Sequence, residues 1–166
     1  MIIHLREWFH EVAQTIDRVI RIILFALLLV VMGAITMQVI NRYILKLAVP
    51  LLQWLIVISL SWMTFLGSAV AYRSNEHFYL DILERQIKKP AARSVHRLVV
   101  ALVEGFSIVV LIGTGWGFTM LGLVKTSPAT GYSMVFTYIS IIVSAFFMLL
   151  FFIERMLVDP QKEERS

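Results

Sequence analysis

Four long stretches of the chain carry almost no charge. Positions 22–41, 47–72 and 126–153 hold no charged residue, and 98–124 holds Glu104 alone. A helix needs about 20 apolar residues to cross a hydrocarbon core near 30 Å thick, and only a helix or a closed barrel satisfies its backbone there. The pattern predicts an all-α integral membrane protein, a single membrane domain over 1–166 with spans at about 22–41, 49–72, 98–124 and 132–153. Residues 1–20 follow a different rhythm. Ile2, Leu5, Trp8, Phe9, Val12, Ile16 and Val19 recur every three or four positions, with Arg6, Glu7, His10, Glu11, Gln14 and Asp17 between them. This segment is expected either to lie in the membrane interface as an amphipathic helix or to extend span one. The middle segment, 74–97, repeats the design, mixing Phe78, Leu80, Ile82, Leu83 and Ile87 with charged groups. Pro90 lacks an amide donor, so a break around Lys89-Pro90 is expected, and the segment reads as a horizontal interfacial arm that braces a partner or simply covers the membrane surface.

Composition agrees with this picture: 59% of residues are hydrophobic and 16% charged, against roughly 45–50% and about 25% in soluble domains. The first apolar block is too long for a cleaved signal core and reads as a retained span. Charge then supplies the orientation. Twelve Lys and Arg residues fall in the two tails and between spans two and three, Arg73 included, against three (Arg42, Lys46, Lys125) in the first and third loops. Because cations resist translocation, both termini are expected in the cytoplasm. The net charge of +4 is explained by this flanking pattern and gives no basis for nucleic-acid binding. Tyr43, Trp54 and Tyr132 fit the outer headgroup level and Tyr72 the inner one; Trp62, Trp116 and Tyr138 lie deeper and read as packing residues.

Candidate chemistry is sparse. There is no cysteine, so thiolate and disulfide chemistry are excluded. All four histidines, His4, His10, His77 and His96, lie in tails or the middle segment, which leaves no facing pair for a haem within the spans. Nucleotide-binding, zinc-protease and serine-hydrolase signatures are missing from the sequence. Glu104 is the one ionisable group within a span, where a central charge costs about 2.5–3.5 kcal/mol. It lies roughly 10 Å along the helix from Arg97 and on the same face, so it reads as a carboxylate snorkelling or paired near the inner interface, as a contact to a partner subunit, or as a coupling group.

Small residues mark close helix approaches, because helices in lipid associate by packing instead of by the hydrophobic effect. Ser61, Thr64, Ser68 and Ala71 form one stripe on span two, with Gly67 beside it, and Gly113 and Gly117 form a small-xxx-small pair on span three. They serve packing within a four-helix bundle or docking against a second membrane protein. Gln38 and Asn41 read as interhelical hydrogen-bonding groups.

Several stretches now carry a resemblance. Asn41-Arg42-Tyr43 closes span one. Trp62-Met63-Thr64-Phe65-Leu66-Gly67-Ser68-Ala69-Val70-Ala71-Tyr72-Arg73 precedes Glu76-His77 and Asp81-Ile82-Leu83, and Gly131-Tyr132-Ser133-Met134 with Tyr138 opens span four. In this order, over nearly the whole chain, they resemble the small membrane subunit, the Q component, of tripartite ATP-independent periplasmic (TRAP) transporters. The chain departs from that family at Gln53-Trp54, where an acid is usual nearby, and at Ser140-Ile141-Ile142, where a proline is common.

The resemblance implies a non-catalytic scaffold in the bacterial inner membrane. It would brace a large transport subunit, one to one, in a sodium-coupled importer of organic acids such as sialic acid or C4-dicarboxylates. Sodium is expected on the large subunit and no cofactor in this chain; a periplasmic substrate-binding protein and phospholipids complete the partners. The candidate partner-subunit interface is Ser61, Thr64, Gly67, Ser68, Ala71, Glu104, Gly113 and Gly117, and the candidate periplasmic docking face is Arg42, Tyr43, Lys46, Lys125 and Ser133. The alternatives are the small subunit of another tripartite carboxylate importer and the membrane anchor of a redox complex.

Overall fold

The computed structural model describes residues 2–86, 90–128 and 130–158. Four helices account for nearly all of them: α1 (Ile2–Tyr43), α2 (Pro50–Gln86), α3 (Pro90–Val124) and α4 (Val135–Val158). All four are long and apolar enough to cross a membrane. Two of them start on a proline, which lacks only an amide that the first helical turn leaves unbonded anyway. The expected break at Lys89-Pro90 falls partly on 87–89, outside the described residues; α3 begins at Pro90 itself.

Both amphipathic segments continue a span. α1 runs unbroken from Ile2 to Tyr43, so of the two readings of residues 1–20 the structure has the extension of span one, not a separate interfacial helix. Its inward face explains why. Ala13, Ile20, Val31, Ala34 and Asn41 are buried, with Ile16, Leu24, Leu27 and Gln38 half-buried between them. Steps of three and four thus carry a single seam through the amphipathic and the apolar part alike. At 42 residues the helix is about 63 Å long, twice the hydrocarbon core. The 74–97 arm likewise divides: its first part prolongs α2 to Gln86 and its last part, from Pro90, leads into α3.

Span four begins later than 132, because Tyr132 and Ser133 belong to a tight turn. Ser127 N–H donates to Tyr132 O (2.8 Å) and Met134 N–H to Lys125 O (3.0 Å), around a Thr126–Ser133 bridge. Gly131 supplies the positive φ of 74° that such a turn needs. Ser133 Oγ donates to Gly122 O (2.8 Å) and accepts from Val135 N–H (3.3 Å), which fixes the start of α4 against the end of α3.

The helices do not close into a compact bundle. α4 is central and packs on the other three; α1 packs mainly on α2, and α3 lies against α4. Ala13, Ile20, Leu66, Ala69, Val70 and Phe151 form the core, with Trp62, Val143 and Phe147 packed around it, so α1, α2 and α4 build it and α3 is appended. In the most apolar window of each span, no more than 22% of residues are buried. Most of the intramembrane surface therefore awaits lipid or another protein.

Candidate partner interface

A layer of ion pairs joins all four helices near the end that holds the start of α1 and the end of α4. Glu154, buried to 7% exposure, accepts from Arg73 Nη2 (2.9 Å) and Nε (3.1 Å). His10 Nδ1 lies 2.9 Å from the same carboxylate, and since a carboxylate only accepts, that nitrogen carries the proton. Arg73 also sits 3.6 Å from Asp17 and stacks over Phe151. Asp17 in turn accepts from Arg21 (2.8 Å), whose other arm donates to Ser74 Oγ (2.9 Å). On the far side of α4, Glu104 accepts from Arg155 (2.6 Å) and from Tyr72 O–H (3.0 Å). Neighbouring residues on a helix point about 100° apart, which lets Glu154 face α1 and α2 while Arg155 faces α3. Glu104 is thus committed within the chain; the side chain of Arg97, its expected neighbour, lies outside the described residues.

This layer places residues 10–21 of α1 beside 72–74 of α2, 104 of α3 and 154–155 of α4, so consecutive helices run antiparallel. Beyond it the spans are bare of charge: twenty residues on α1 up to Arg42 and twenty on α3 up to Lys125. Twenty residues rise about 30 Å, the thickness of the hydrocarbon core. The layer and the opposite loops therefore bracket an uncharged slab of membrane depth.

The small residues divide into two groups. Gly115 and Gly122 pack against α4: a Cβ on Gly115 would meet Ile141 at 2.9 Å, and one on Gly122 would meet Tyr138 at 2.7 Å and the Val135 backbone at 3.0 Å. Gly113 and Gly117 face outward with nothing within 4 Å. On α2, Leu66, Ala69 and Val70 are buried, while Thr64, Ser68 and Ala71 are exposed, Ser61 and Gly67 are half-buried, and Gly67 too has open space above it. Among the described residues, nothing covers Gly113, Gly117, Thr64, Ser68 and Ala71, and Ser61 and Gly67 lie at the edge of that open surface. Trp116 is likewise 60% exposed and, among the described residues, lies outside the core. Trp62 and Tyr138 do pack, Trp62 Nε1 donating to Phe136 O at 2.9 Å and Tyr138 against Phe118.

At the opposite end, Arg42, Tyr43, Lys46 and Lys125 are exposed. Ser133 differs: it is half-buried and its hydroxyl is engaged in the α3–α4 turn. Trp54 and Tyr132 stack beside it, ring centroids 5.1 Å apart. In sequence, Glu154 and Arg155 look like ordinary charges flanking a span. The one available signal was an acid–base neighbour pair at the end of a span, with Arg73 at the matching end of another.

Four apolar helices, an uncharged slab and partner-sized open surface agree with the family comparison. The profile of the family described as "Tripartite ATP-independent periplasmic transporters, DctQ component" matches residues 31–161. Among curated proteins and solved structures none matches the chain. The chain therefore belongs to the DctQ family: it is the small membrane subunit of a TRAP transporter, not an enzyme, in an assembly with a large DctM membrane subunit and a periplasmic binding protein.

Proposed function

We propose that this chain is the static brace of a sodium-coupled importer of organic acids, carboxylates such as sialic acid or C4-dicarboxylates. It holds one large transport subunit at fixed depth while that subunit carries solute and sodium. Both termini face the cytoplasm of a bacterium, and the membrane is the inner one. The observation that carries the reading is the uncharged slab: a carboxylate crossing it would meet no cation between Arg21 and Arg42 on α1 or between Glu104 and Lys125 on α3, and ionisable groups mark solute paths in membranes.

The brace would use the uncovered small residues, Ser61, Thr64, Gly67, Ser68 and Ala71 on α2 and Gly113 and Gly117 on α3, where a partner helix approaches closely. Glu104 is not needed for this. The rim with Arg42, Tyr43, Lys46 and Lys125 faces the periplasmic binding protein, and phospholipid covers what remains.

Co-purification in mild detergent tests the reading. The large subunit is expected in equal amount, and Gly113→Leu with Gly117→Leu is expected to cut its recovery several-fold while leaving the isolated chain equally stable. Recovery of this chain alone, or undiminished capture by the double variant, would count against it.

A further inference from the structure

A recess of about 420 Å³ lies between the last turn of α1 and the first turn of α2. Gln38, Asn41, Arg42, Lys46 and Gln53 line it. Among the described residues, none of these five side chains has a hydrogen-bond or ion-pair partner. Asn41 is only 7% exposed; its carbonyl accepts from Leu47 N–H (3.0 Å), and its side-chain amide opens on the recess. The polar lining is therefore free to bond whatever occupies the recess.

Its charge is also uncompensated. No Asp or Glu occurs between Asp17 and Glu76 or between Glu104 and Glu154, which leaves Arg42 about 38 Å along α1 from the nearest carboxylate of that helix. Lys46 further holds a φ of 52°, a left-handed conformation that costs a side-chain-bearing residue about 1–2 kcal/mol. Strain of this kind persists where the surroundings hold a residue in place. The loop around it is apolar and outward-facing, with Ile44, Leu45 and Leu47 exposed. The lining itself continues through Val49 and Pro50. Two cations and three amides beside an apolar collar match an amphiphile with an anionic head.

We propose that this recess seats a phosphate group, that of a phospholipid headgroup, with Arg42 and Lys46 as counter-ions and the amides of Asn41 and Gln53 as donors. Guanidinium suits phosphate because it offers two parallel N–H groups to two oxygens. The acyl chains then lie along Ile40, Ile44 and Leu45. The lipid anchors the α1–α2 corner at headgroup level. Of the rim that faces the binding protein, Arg42 and Lys46 take the lipid, while Tyr43 and Lys125 remain for docking.

Native mass spectrometry of the full chain tests it, with phosphatidylglycerol, diacylglycerol of the same chains and inorganic phosphate as probes. One phosphatidylglycerol is expected to be retained and diacylglycerol not. Arg42→Gln with Lys46→Gln is expected to weaken retention about tenfold or more, whereas Arg42→Lys with Lys46→Arg, and Lys125→Gln, retain it; the charge-conserving pair guards against a folding defect. Displacement of the lipid by millimolar inorganic phosphate supports the same seat and makes free phosphate its second source. Equal retention of diacylglycerol, or unchanged retention by the neutral double variant, overturns the proposal. So does a neutral double variant that keeps the lipid but loses the periplasmic binding protein, since the recess would then be a protein-docking site.

Discussion

Replacing Glu154 by Gln should be among the most damaging conservative changes in this protein. The carboxylate accepts twice from Arg73 and once from His10, and the side chains of Arg73 and Glu154 are only 15% and 9% exposed. Breaking a buried ion pair by removing one partner costs about 3–5 kcal/mol. Arg73 keeps Asp17 at 3.6 Å, which places the expected loss near the lower end, about 3 kcal/mol or two decades in the unfolding constant. The assay is equilibrium unfolding of the isolated chain in mixed micelles, followed by helical circular dichroism. Arg73→Met combined with Glu154→Leu should return to within about 1 kcal/mol of the parent, since an apolar pair of similar volume replaces a buried ion pair at little cost. Asp17 still has Arg21 in that variant. A loss below about 0.5 kcal/mol for Glu154→Gln, or a double variant as weak as the two single losses added together, would refute the reasoning.

Other consequences follow from the same geometry. Gly122→Ala should cost about 1–3 kcal/mol by overpacking against Tyr138 and the Val135 backbone, whereas Gly113→Ala, facing open space, should be neutral or gain up to about 1 kcal/mol of helix propensity; equal melting shifts would contradict this. Lys46→Gly should stabilise the isolated chain by about 0.5–1 kcal/mol, because glycine adopts a φ of 52° without steric cost; a lower unfolding midpoint would contradict it. Glu104→Ala removes the ties to Arg155 and Tyr72 and should speed amide exchange at the start of α3 ahead of the core helices. Uniform exchange across all four helices would mean that α3 is not the separately attached element described above.

Much of the fold was legible because charge is so rare in the spans: twenty uncharged positions between Arg21 and Arg42 leave a helix few options other than crossing lipid. What could not be read is which helix meets which. Gly113 and Gly117 carry a recognised spacing, yet Gly115 and Gly122 make the close approach to α4; a small residue reveals that a backbone can come near, not whose. The amphipathic rhythm of residues 1–20 was correct but its consequence was open, since the same steps of three and four suit an interfacial helix and the prolonged seam that α1 forms. In sequence, Tyr132 and Ser133 look compatible with the start of span four, and only the pairing across the turn with Lys125, Thr126 and Ser127 removes them from the helix. The ion-pair layer joins positions up to 144 apart in sequence, beyond the reach of local pattern.

The reading of the chain as a brace is tested most directly by uptake into liposomes. This chain reconstituted alone should accumulate no labelled carboxylate under an inward sodium gradient, and should support uptake once the large subunit and the loaded binding protein are added. Sodium-driven accumulation by this chain alone would show that a solute does cross its uncharged slab, and the account would be wrong.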